Sequence, residues 1–102
     1  MHDPRIDQLA RQLVRYSTAT KRGENVLIEL FDVPEAVGIA LIREVRAVRA
    51  TPFINIHNAK ISREMARGAT EDQYASIAKT AMHQMKAMDC YIAIRGLSLI
   101  HI

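Results

Sequence analysis

Hydrophobic positions along the chain keep two periods, one of a helix and one of a strand. Ile6, Leu9, Ala10, Leu13 and Val14 recur at i, i+3, i+4, i+7 and i+8, while Arg5, Gln8, Arg11, Gln12 and Arg15 fill the opposite face. That spacing predicts an amphipathic helix with one stripe against a core. Asp3 and Pro4 mark its start: Asp accepts a bond from a free backbone N–H, and Pro at the first helical position has no donor to lose. The helix is expected to reach about Thr20 and to close at Lys21-Arg22-Gly23, with cations at the negative end of the dipole and Gly suited to a left-handed cap. Val26 to Phe31 is a short apolar run of strand length, preceded by the turn-like Gly23-Glu24-Asn25.

Asp32 then reads as the N-cap of a second helix, with Pro34 and Glu35 in its first turn and an end near Arg49. Ala36, Val37, Ile39, Ala40, Leu41, Ile42, Val45 and Val48 make it apolar around much of its girth, so it needs cover on more than one side. Thr51-Pro52 breaks it, and Phe53-Ile54-Asn55-Ile56-His57 alternates as a second strand. A short helix through Ser62 to Arg67 ends at Gly68. Thr70-Glu71-Asp72-Gln73 is a capping box. It opens a helix carrying Tyr74, Ile77, Ala78, Ala81, Met82, Met85 and Met88 on one face, with the methionines expected as adaptable core packing. Cys90 to Ile94 is the third strand.

Strands separated by crossover helices pair in parallel with right-handed connections. The predicted fold is α/β, of order αβαβ(α)αβ, with a small parallel three-stranded sheet that forms an incomplete doubly wound domain over residues 1–96.

Composition narrows the function classes. The 102 residues are 49% hydrophobic and 25% charged, which suits one globular domain and excludes a disordered or low-complexity chain. One cysteine, Cys90, allows no internal disulfide and fits a reducing compartment, so a cytoplasmic location is expected. No apolar run is long enough to span a bilayer, and no membrane partner is expected. Lys and Arg exceed Asp and Glu by 14 to 11. Arg43, Arg46 and Arg49 recur at helical spacing, but Glu44 interrupts them. They read as a solvated helix face, with no nucleic-acid partner.

The candidate chemistry is sparse. Gly23, Gly38, Gly68 and Gly96 are too dispersed for a phosphate-cradling loop. His2, His57, His83 and His101 show no metal-ligand spacing, and His83 is placed near the boundary of a buried helix face. Cys90 opens an apolar strand with no cation in view to activate its thiol. Ser17, Ser62 and Ser76 lack a nucleophile elbow. A phosphoacceptor domain needs an Asp after the third strand, where Arg95-Gly96 stands instead. Open α/β sheets collect ligands at the carboxyl ends of their strands, which here means Asp32, His57, Asn58 and Arg95. The bland roles for these are a helix cap, two loop residues and a surface charge.

Three blocks taken in order carry a resemblance. Leu9 to Ile28, then Asp32-Val33-Pro34-Glu35-Ala36 with Leu41-Ile42-Arg43-Glu44-Val45, then Ala69 to Gln73 through Met85 to Gly96 resemble the amino-terminal region of the metal-dependent aminopeptidases of the aminopeptidase T and aminopeptidase S type. The resemblance covers about residues 3 to 96 and rests on order and spacing. It implies a two-domain, homodimeric hydrolase that removes amino-terminal residues from peptide substrates with two divalent metal ions, zinc, cobalt or manganese. In that family the metal ligands lie in the carboxy-terminal domain. No catalytic, cofactor-binding or metal residue is therefore assigned here, and the fragment alone is expected to be inactive.

The family pattern departs after Gly96. Leu97-Ser98-Leu99-Ile100-His101-Ile102 reads as a non-native tail at the end of a truncated chain. A truncated domain is expected to leave sheet edges exposed and its second helix uncovered. The alternative is a free-standing α/β ligand-binding or interaction module that uses the crevice near Asp32 and His57.

Overall fold

A computed structural model describes residues 3–96; His2, His101 and the expected tail at residues 97–102 lie outside the described residues. The elements are α1 (Pro4–Arg11), continued by a π-helical segment (Gln12–Ser17), β1 (Asn25–Phe31), α2 (Glu35–Ala47), β2 (Thr51–His57), α3 (Ala59–Ala66), α4 (Glu71–Lys86) and β3 (Cys90–Arg95). The strands form one small parallel sheet, as predicted, and their order in it is β2-β1-β3.

The first helix starts as expected, with the Asp3 carboxylate accepting the Arg5 N–H and Pro4 in the first turn. Its second half widens. The Thr18 N–H donates to the Leu13 carbonyl, five residues back, and the Thr18 hydroxyl sits 3.0 and 3.1 Å from the Leu13 and Val14 carbonyls. A threonine hydroxyl on these last carbonyls ends the helix at Ser17, before the expected Gly cap. Gly23, at φ 83°, instead serves the turn into β1, where its N–H donates to the Arg49 carbonyl.

Alternation along β1 sends Val26, Ile28 and Leu30 to one face, and all three are almost wholly buried. Ile92 and Ile94 of β3 join them, and Val37, Ala40, Leu41 and Val45 of α2 pack above. Ala10 and Val14 of the first helix join this cluster, so α2 is covered by the sheet and by the first helix, while its outer face, with Ala36, Ile39, Arg43 and Arg46, stays exposed. Only Ile39 among its large apolar residues is well exposed. Arg15 pairs with Glu44 across that helix contact. Gly38 lets α2 sit close: a Cβ there would stand 2.7 Å from Leu30 Cδ1.

Two other boundaries shift. Pro34, not Asp32, is the N-cap of α2. β2 begins at Thr51 rather than Phe53 and accommodates Pro52 because it is an edge strand.

The connection β1 to β2 runs one way along the sheet, and β2 to β3 returns past β1 to the other side. Right-handed crossovers then place α2 on one face and α3 with α4 on the other. On this second face, register stacks three rows: Phe53, Leu27 and Tyr91; Asn55, Glu29 and Ala93; His57, Phe31 and Arg95. The second layer does not close. Neither α3 nor α4 has a buried residue, and a gap of about 320 Å³ separates Ala78, Ala81, Met82 and Met85 from Leu27, Glu29 and Asn55. The methionine stripe expected in a core is therefore open, with Met82 59% exposed. Its physical reason lies beneath it: the sheet presents a charged and an amide side chain there, and methionines cannot seal against them. His83, expected near a buried boundary, is exposed as well. α4 is held at its C-terminal end, where Asn55 donates to Gln84 Oε1 at 2.8 Å and Asn25 donates to the Ala87 carbonyl at 2.9 Å.

Candidate functional site at the carboxyl ends of the strands

Because β2 and β3 flank β1 on opposite sides, the chain leaves β1 toward one face and reaches β3 from the other. The break between them is a topological switch point, where open α/β sheets form a crevice outside the strand ends. Here a crevice of about 630 Å³ opens at that position, lined by Phe31, Asp32, His57, Ser62, Arg63 and Arg95, with Ala59 and Gly96 completing it. Its volume is within the range of small-molecule sites.

Its floor is the last row of the sheet. His57 stacks on Phe31 with centroids 4.4 Å apart and planes 8° from parallel. From the other side, the Arg95 guanidinium carbon lies 3.7 Å from the Phe31 centroid. Phe31 thus stands between a ring from β2 and a cation from β3, an arrangement favoured by the negative face of the phenyl ring.

Behind this row lies a polar network built on Glu29. Its carboxylate accepts from the Tyr91 hydroxyl at 2.7 Å and pairs with His57 Nε2 at 2.7 Å. Burial alone pushes the Glu29 carboxyl up, but the bonds from Tyr91 and His57, with the charge of His57 and a bond from Asn55, outweigh it and hold the group below the ordinary 4.5. The same contact with Glu29, aided by burial, pushes the Tyr91 hydroxyl above the ordinary 10.0. Tyr91 therefore serves as a donor, and the bond that His57 Nε2 makes to the Glu29 carboxylate fixes the orientation of the His57 ring.

The crevice wall is the start of α3, which begins at Ala59 rather than near Ser62. Asn58 is its cap, accepting from the Lys60 and Ile61 N–H groups at 2.9 and 3.1 Å. Asp32, expected to cap α2, adopts φ 56° at the end of β1, and its two carboxylate oxygens lie 3.1 and 3.2 Å from the Ala59 nitrogen. It joins the β1 end to α3. Ser62 and Arg63 follow on α3 and line the crevice. Ser62 and His57 also border a second groove of about 470 Å³, with Ile56, Ile61, Met65 and Tyr74.

Of the four residues singled out by strand position, the fold brings Asp32, His57 and Arg95 to one crevice, while Asn58 has the structural role of a helix cap. Glu29, Phe31, Tyr91 and Arg63 escaped the sequence reading. One signal was present for Glu29, the single charge inside the apolar run of β1. Cys90 is half-buried, and burial first of all pushes its thiol upward, as expected for a packing residue. Arg43, Arg46 and Arg49 are all exposed, and Arg49 leaves the helical line at φ 66°.

Among the described residues no three His, Cys, Asp or Glu side chains are grouped so as to hold a metal ion. Glu29 and His57 are bonded to each other and Asp32 is engaged by Ala59, so these residues form no ion-binding group; the two-ion centre that the resemblance implies belongs to a further domain. No helix among them is long and apolar enough to cross a membrane. The chain matches no protein-family model and no curated protein. The aminopeptidase resemblance accordingly stands on its residue blocks alone.

Proposed function

We propose that the chain is the amino-terminal α/β unit of a metal-dependent aminopeptidase, a scaffold that docks against the domain carrying the metal ligands. The supporting observation is the surface it leaves uncovered. Ile56, Ile61, Met65, Ile77 and Met82 are each more than half exposed. Exposed apolar side chains of this kind suit an interface with a further domain. In this proposal the parent enzyme is cytoplasmic and homodimeric, cleaves peptide substrates at their amino termini with two ions of zinc, cobalt or manganese, and has neither nucleic-acid nor membrane partners.

Two measurements test it. The purified chain, given aminoacyl-nitroanilides with zinc, cobalt or manganese, is expected to show no turnover; metal-dependent hydrolysis would place the catalytic apparatus within these residues and overturn the proposal. The coding sequence adjoining this chain is expected to encode a domain rich in Glu, His and Asp ligands, and its absence would count decisively against the family.

A second reading is favoured by the crevice at the switch point, which is formed without any further domain. The chain is then a ligand-binding module, monodisperse and cooperatively folded, whose ligand perturbs residues around Phe31, His57 and Arg95. Sedimentation and a thermal melt separate the two, because the scaffold associates through its apolar faces and the module does not.

A further inference from the structure

Resting on the second reading, that the strand-end crevice is a ligand site, we propose that it takes a small phosphate monoester, held by Arg63 and Arg95. Two guanidinium groups line the crevice against one carboxylate. That carboxylate, Asp32, is directed to the Ala59 N–H with both oxygens. Neither Arg63 nor Arg95 has a carboxylate partner among the described residues. The crevice thus presents two cations whose donors are uncommitted, beside the hydroxyl of Ser62.

Arg95 is already placed: its guanidinium carbon lies 3.7 Å from the Phe31 centroid, and no hydrogen bond among the described residues engages its N–H groups. A fixed planar fork suits a phosphate group, which accepts two parallel bonds from it. The α3 N-terminus is not the anion site, since Asp32 and Asn58 already accept from its first three N–H groups. An anion in this crevice must therefore be held by side chains. Phe31 lies between His57 and Arg95, so its ring offers no open face for a nucleobase. Recognition falls on the phosphate, and the adjoining groove of Ile61, Met65 and Tyr74 offers an apolar berth for the esterified group.

The test is a titration of the full chain, followed by amide chemical shifts, with inorganic phosphate, phenyl phosphate and uncharged phenol as probes. Saturable shifts at Ser62, Arg63 and Gly96 are expected with phenyl phosphate, weaker ones with inorganic phosphate, and none of that pattern with phenol. Arg63→Gln, at an exposed position with no ion pair, is expected to lower phenyl phosphate affinity about tenfold or more, as is Arg95→Gln. Arg22→Gln, beyond the opposite end of β1, is expected to leave it unchanged. If phenol shifts the same amides as strongly as phenyl phosphate, the crevice is a ligand site but the phosphate assignment is wrong. If none of the probes shifts them, or if Arg22→Gln weakens binding as much as Arg63→Gln, the proposal is overturned together with the crevice reading.

Discussion

Replacing Glu29 by Gln removes one charge and alters little else, and the network around it gives the size of the effect. The carboxylate accepts one bond from Tyr91 and one from His57, both at 2.7 Å, on a side chain only 19% exposed. Glutamine keeps one carbonyl oxygen and presents an NH₂ group to the second donor, so one charge-assisted bond is lost and another weakened. The structure therefore predicts a destabilisation of about 1 kcal/mol at neutral pH. For a domain of this size that lowers the melting temperature by about 4–8 °C. The sign of the pH dependence follows from the direction of the shift. Glu29 is held below its ordinary 4.5, so its contribution is whole above that value and disappears as pH falls through the lower value of the folded state. Thermal melts of both proteins across the acid range are expected to converge. In the same variant the Tyr91 hydroxyl, raised chiefly by its bond to Glu29, returns toward 10.0, which tyrosinate absorbance reads directly. An equal melting temperature at neutral pH, or a difference that persists undiminished in acid, would refute the account of Glu29 as a network carboxylate.

Asp32→Ala removes the acceptor for the Ala59 N–H and puts a Cβ residue without a local polar side chain at φ 56°. A loss of about 1–2 kcal/mol is expected in urea unfolding, with Asp32→Gly recovering the backbone part and leaving amide exchange at Ala59 accelerated. Leu41→Ala, at a fully buried position between sheet and first helix, is expected to cost about 2–5 kcal/mol, enough to unfold much of a marginal domain at moderate temperature. Cys90 is expected to react with a thiol reagent slowly in the folded chain and faster in urea, because burial raises its thiol; equal rates would show the side chain to be freely accessible.

Most of the architecture was legible in local signals. The apolar run of β1, the i, i+3, i+4 stripe from Ile6, the Asp3-Pro4 start and the Thr70 cap each appear where the residues place them. Asn58 was legible too, as an N-cap residue type four positions upstream of the helix expected at Ser62, but the adjoining strand pattern masked it. Asp32 failed for a different reason. Sequence offers Asp32 the nearer helix as a partner, and only the parallel pairing of β1 with β2 brings the start of α3 within reach of its carboxylate. The methionine stripe had the period of a buried face, and period reports which side of a helix is apolar without reporting what lies opposite. Opposite it lie Glu29 and Asn55. The site suffered most, since Phe31, His57 and Arg95 are brought together by register across three strands, a property no single segment encodes.

β1 connects these observations, because parity divides it between two tasks. Val26, Ile28 and Leu30 point into the closed layer and carry the fold, while Glu29 and Phe31 face the other way and organise the crevice. Substitutions on one face need not disturb the other, so the polar network can change without dismantling the core. The same division explains why the second layer is loose. A row of side chains spent on Glu29 and Asn55 is a row not available to seal α4 against the sheet, and the apolar side chains of α4 remain exposed as a consequence. The uncovered surface and the polar crevice are thus two results of one cause, the charged residue at the centre of the middle strand.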